Sequence, residues 1–155
     1  SPNKLKDEKG YPVRNLASVV TKPTLTSLGE RLSEGQFKKA KSLFAKKKYQ
    51  ASITEFNRLI ESYSFSVKVV EAYFLKAEAH YQLQDLEACV KAIDKMVTLF
   101  PSSELTGYAL LRLGRVFEIQ DRAEEATGIY QTVLQTFNNK DLSLQARSAL
   151  RAQQL

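Results

Sequence analysis

The feature that most restricts what this chain can fold into is a repetition at 37 residues. Sliding the sequence by that interval places Ala40 on Ala77 and Gly114, and Leu43 on His80 and Phe117. Tyr49 falls on Leu86 and Ala123, Ser52 on Cys89 and Ala126, and Phe56 on Ile93 and Tyr130. Leu59 meets Met96 and Val133, and Tyr63 meets Phe100 and Phe137. Seven columns keep size or apolar character through three copies without a gap. Such self-similarity marks a stack of supersecondary units, each unable to bury its apolar face alone.

The columns also specify the unit. Ser52, Phe56, Leu59 and Tyr63 recur at spacings of four, three and four, one stripe of an α-helix. Ala40, Leu43 and Phe44 mark a helix before it. Lys46-Lys47-Lys48, Gln84-Asp85 and Gln120-Asp121 mark the turn between the two in successive copies. Each copy is therefore a helix hairpin. The small columns Ala40/Ala77/Gly114 and Ser52/Cys89/Ala126 are where helices approach closely. Helices are predicted over 34–46, 49–63, 66–83, 86–100, 103–119, 123–137 and 141–153. Ser33-Glu34-Gly35-Gln36 and Asp121-Arg122-Ala123-Glu124 read as capping boxes, and Pro101-Ser102-Ser103 as a stop followed by a cap. Gly128, inside a predicted helix, reads as a point of close approach for the last helix. Three of the four prolines, Pro2, Pro12 and Pro23, precede the repeats, so residues 1–32 are expected to form an extended arm. The repeat domain is expected over 33–155, with hairpins over 33–65, 66–102 and 103–139 and a capping helix over 141–153.

Charge sharpens that division. The net charge is +6, but residues 1–48 carry 12 Lys/Arg against 4 Asp/Glu, while the remainder carries 11 against 13. The dense cluster Lys38, Lys39, Lys41, Lys46, Lys47 and Lys48 reads as a solvated helix face, with an acidic partner, anionic lipid or nucleic acid as the alternative. Elements that read bases are missing from its neighbourhood, which argues against nucleic acid.

Catalytic patterns are absent: there is no Gly-rich phosphate loop, no Gly-x-Ser-x-Gly elbow and no His-Glu-x-x-His. One cysteine, Cys89, and one histidine, His80, do not make a zinc site. Cys89 stands in a small-residue column and reads as a buried structural thiol. His80 reads as packed between helices. The reading is a non-enzyme without cofactor, metal or small-molecule substrate.

The run Tyr49-Gln50-Ala51-Ser52-Ile53-Thr54-Glu55-Phe56, the pair Leu113-Gly114 and the terminal Pro101 resemble the tetratricopeptide repeat. The 37-residue period and Leu99-Phe100-Pro101-Ser102-Ser103 are similar to its bacterial envelope branch. That branch holds the Tol–Pal-associated periplasmic repeat protein and the β-barrel assembly lipoprotein. Ser64 and Asn138 depart from the pattern, standing where the family places proline. The resemblance implies an all-α, right-handed superhelical stack of three hairpins plus a capping helix. It implies a protein-binding adaptor of the periplasm or cell envelope, acting in envelope assembly or organisation. A cytoplasmic scaffold or secretion-type chaperone is the alternative.

In that family the first helix of each hairpin lines a concave groove. The resemblance assigns to it Phe37, Lys41 and Phe44, then Phe74, Glu78 and Tyr81, then Tyr108, Leu111 and Arg115. Six of these nine are apolar or aromatic, which suits an extended or helical segment with apolar anchors. Phe37 and Glu78 exclude the basic clamp with which some relatives hold a C-terminal carboxylate. The apolar residues of the arm, Tyr11, Val13, Leu16, Val19 and Val20, also make it a candidate occupant of the groove.

Overall fold

The computed structural model describes residues 22–155, with side chains from Ser27 onward. Residues 1–21, and with them most of the expected arm and its docking in the groove, lie outside the described residues. Seven helices follow: α1 (Lys22–Ala45), α2 (Tyr49–Ser62), α3 (Val69–Gln82), α4 (Leu86–Leu99), α5 (Glu104–Ile119), α6 (Ala123–Thr136) and α7 (Lys140–Gln153). They pack as antiparallel hairpins α1/α2, α3/α4 and α5/α6, with α7 against α6. The first helices also touch in sequence, α1 with α3, α3 with α5 and α5 with α7, and so form one continuous layer. The chain is an all-α helical repeat stack.

The repeat columns become the core. Ala40, Ala77 and Gly114 are buried, as are Ser52, Cys89 and Ala126, Phe56, Ile93 and Tyr130, and Leu59, Met96 and Val133. The turns repeat as well. Lys47, Gln84 and Asp121 each adopt a left-handed conformation, with φ of 60°, 59° and 58°. The following amide then reaches back to a helix carbonyl that would otherwise lack a partner: Lys48 N to Leu43 O at 2.9 Å, Asp85 N to His80 O at 2.9 Å, and Arg122 N to Phe117 O at 2.8 Å. None of the three is glycine, so each turn carries about 1 kcal/mol of conformational strain. Asp121 is consequently a turn residue and not the expected helix cap. Arg122 precedes α6 without a side-chain cap, and the caps with side-chain bonds are Asp85 on α4 and Asn139 on α7.

The largest departure from expectation is α1. It begins at Lys22 and runs without a break through residues 32–33, where the start of the repeat domain was expected. Pro23 stands in its first turn, where a missing N–H breaks no helical bond. Ser33 sits mid-helix and caps nothing. Its hydroxyl donates to Glu30 O at 2.9 Å, and lies 2.8 Å from the Ser66 hydroxyl. Ser33 is fully buried, so the polar side chain that looked like a helix start instead ties α1 to the loop before α3.

Two apolar clusters hold the stack. The smaller is built on Phe37, Ala40, Phe56, Leu59, Val69 and Ala72. The larger runs from Ala77 through α4, α5 and α6 to Leu142 and Ala146 of α7. Tyr73 packs against both, with its ring 6.2 Å from that of Phe100. In the larger cluster, glycine allows the closest approach. A Cβ on Gly114 would lie 2.4 Å from Tyr130 Cε1, and one on Gly107 would lie 2.6 Å from Leu142 Cδ1. Gly128 is different: nothing lies within 4 Å of where its Cβ would be, so it is not the close-approach point expected of it.

Candidate functional site

Positions 74, 78 and 81 share one stripe of α3, and 108, 111, 112 and 115 share one side of α5. Where these stripes face each other, Phe74, Glu78, Tyr108, Leu111, Arg112 and Gln145 line a cleft of about 250 Å³. Phe74, Tyr108 and Leu111 are half-buried, leaving apolar surface on its wall. Four of the nine residues assigned to the groove by resemblance therefore meet here: Phe74, Glu78, Tyr108 and Leu111.

The polar groups of the cleft are already paired with one another. The Arg112 guanidinium donates to both carboxylate oxygens of Glu78, from Nε at 2.8 Å and from Nη2 at 2.9 Å. Its Cζ also lies 3.9 Å from the ring centroid of Tyr81. The Glu78 hydrogen bonds lead the causes that raise the Arg112 pKa, fixing it as a cation. The Tyr108 hydroxyl donates to Asp141 Oδ2 at 2.6 Å, and Gln145 Nε2 donates to the same oxygen at 2.8 Å. The bond to Asp141 is the leading cause of a raised Tyr108 pKa, so the phenol stays neutral. These bonds set four lining side chains, Glu78, Arg112, Tyr108 and Gln145, in place before any partner arrives.

The remaining assigned residues lie elsewhere. Tyr81 lines a neighbouring cleft of about 420 Å³ with Gln82, Gln84, Leu86 and Ile119. Arg115 is exposed and pairs with Glu118 at 2.9 Å. Phe37 is only 4% exposed and belongs to the smaller core, 6.2 Å from the Phe56 ring. The ammonium groups of Lys41 and Lys68 lie 5.4 Å and 5.3 Å from its centroid and cover it. Phe44 is half-buried and edge-on to Tyr49 at 5.4 Å. The first hairpin thus closes the position that the second and third leave open.

Arg112 and Gln145 line the cleft but were not among the assigned residues. The repeat itself held a signal for Gln145, since one further slide of 37 carries Tyr108 onto it in the capping helix. For Arg112 no signal exists, because its counterparts in the other hairpins are Lys38 and Leu75.

A family model for outer membrane lipoproteins, YfiO, matches residues 31–154. The chain belongs to this family. Membership places it in the bacterial cell envelope, among proteins that work through contacts with other proteins. No curated relative matches the chain. No helix among the described residues is long and apolar enough to cross a membrane. Among those residues, no group of His, Cys, Asp or Glu could hold a metal ion.

The two residues set apart by their rarity are placed by the core. Cys89 is fully buried, and burial pushes its thiol up to about 11, which suppresses the reactive thiolate. His80 lies between α3 and α4 with its side chain 12% exposed, and burial lowers its pKa. Of the basic cluster, Lys39 pairs with Glu55 at 3.5 Å, and Lys41 covers Phe37.

Proposed function

We propose that this chain is a non-catalytic adaptor of envelope assembly, and that it docks a segment of a partner protein in the cleft between α3, α5 and α7. The observation that supports this is the pairing inside the cleft. Phe74, Leu111 and Tyr108 offer apolar surface, while Arg112 is paired with Glu78 and the Asp141 carboxylate accepts from Tyr108 and Gln145. A segment inserting one large apolar side chain beside the Glu78–Arg112 pair would therefore leave neither of those charges unpaired, the penalty that usually opposes covering polar groups. A wall held by its own hydrogen bonds also loses little freedom on binding. Family membership supports a protein as the partner.

The test is capture from solubilised envelopes by the full chain, beside Leu111→Glu and beside a variant with Lys46, Lys47 and Lys48 changed to Gln. Leu111 is half-buried at the cleft wall, so the change alters the surface more than the core. A partner held by the parent and by the lysine variant, and lost with Leu111→Glu at unchanged helicity, is expected. Retention by Leu111→Glu with loss in the lysine variant would transfer binding to the basic cluster.

A further inference from the structure

A second cleft lies on the far side of α3 from the groove. Residues 73, 76 and 80 point away from 74, 78 and 81 at 100° per residue. With α4 they enclose about 480 Å³, lined by Tyr73, Lys76 and His80 of α3 and by Ala88, Ala92, Lys91, Lys95, Asp94 and Thr98 of α4. Three lysines stand here against one carboxylate, in a part of the chain whose overall balance is acidic. Around the rim, Lys91 pairs with Glu87 at 3.3 Å, and Glu61 of α2 attracts the Lys76 ammonium.

Two groups lack adequate partners. Lys76 is half-buried, and burial outweighs the attraction of Glu61, so its charge is held less favourably than in water. The Nδ1 atom of His80 is shut off from solvent and has no hydrogen-bond partner, since Asp85 Oδ2 is 3.8 Å away. Tyr73, Ala88 and Ala92 supply apolar wall between them. A desolvated ammonium beside an apolar wall, rimmed by further lysines, suits a negatively charged oxygen group on a hydrocarbon stem.

We infer that this cleft binds an oxyanion, a phosphate or carboxylate, carried on a short apolar stem. The anion would pair with Lys76, with Lys95 closing over it, while the stem lies along Tyr73 and Ala92. This site is separate from the protein-docking groove and does not depend on it.

His80 is the only histidine, so its imidazole resonances report this cleft alone. The full chain is titrated with hexyl phosphate, inorganic phosphate and hexanol while those resonances are followed. Saturable shifts with hexyl phosphate are expected, weakened about tenfold or more by Lys76→Met and by Lys95→Gln, and unchanged by Lys38→Met on α1. Lys76→Met keeps the side chain's apolar length, and Lys95→Gln alters only an exposed rim position, so the two guard each other against misfolding. Binding of hexyl phosphate above inorganic phosphate assigns an amphiphile. Equal binding of the two, with the same loss in both variants, assigns a free oxyanion. No saturable shift, an equal response to hexanol, or indifference to both lysine changes overturns the proposal.

Discussion

The first hairpin and the last hairpin with its cap occupy the same repeat template and are held together in opposite ways. Between α1, α2 and the loop before α3, polar side chains are buried. Ser33 meets Ser66, Glu30 accepts from both hydroxyls, and Gln36 donates to Glu55 at 2.6 Å. Between α5, α6 and α7 the contacts are apolar and close, with Gly114 under the Tyr130 ring and Gly107 under Leu142. The first arrangement seals its inner face, covering Phe37 with two lysines. The second leaves its inner face open at Leu111 and Tyr108. One template can therefore present either a covered or an open inner face, depending on which side chains fill equivalent positions.

The sharpest way to break this comparison is to empty the smaller core. Phe56→Ala should cost about 3–5 kcal/mol. Because the two clusters meet chiefly through Tyr73, hydrogen exchange should show protection lost first in α1 and α2. Equal loss in α5–α7 would mean that the two regions act as one unit. Next in size is Gly114→Ala, at about 1–3 kcal/mol in urea unfolding. The Tyr130 hydroxyl donates to Glu118 at 2.6 Å, so the ring cannot swing clear of a new methyl group. The change at Gly128 should have the opposite sign. There, alanine meets nothing and should stabilise by about 1 kcal/mol, so a loss at that position would reveal a contact the fold does not show.

Smaller still is a difference in acid response. Glu55 has its pKa lowered below 4.5, first by the bond from Gln36 and then by Arg58 and Lys39, against the opposing effect of burial. A carboxylate depressed in the folded state adds stability above its unfolded value, and that stability disappears as pH falls through the folded one. Unfolding followed between pH 5 and pH 3 should therefore show the first hairpin losing stability, and Gln36→Leu should flatten that slope.

Much of the fold was legible because the 37-residue columns are packing positions, and packing is what a repeat preserves. Helices from Tyr49 onward begin and end within a few residues of the predicted limits. The start of α1 was not legible, because Pro23 suits an extended arm as well as a helix's first turn, and Ser33 signals a helix start only if nothing outside the local sequence claims it. Pro23 fell in a first turn, and Ser33 was claimed by Ser66, 33 residues away. The cleft was legible in part for a similar reason. Phe74 and Leu111 follow from the period, but the cover over their counterpart Phe37 includes Lys68, which arrives from a loop outside the aligned helices. The Glu78–Arg112 pair joins positions that are not equivalent in the repeat, so no alignment of the chain with itself could propose it.

The three left-handed turns have a consequence for how such a chain can diversify. Their geometry is carried by the backbone, through the same pair of amide-to-carbonyl bonds each time, and it is met by a lysine, a glutamine and an aspartate alike. The backbone path of each turn is thereby decoupled from the chemistry of the side chain at its left-handed position. The same turn accordingly presents a basic edge at Lys46–Lys48 and an acidic side chain at Asp121, so the charge shown at this edge varies between copies while the fold of the turn does not.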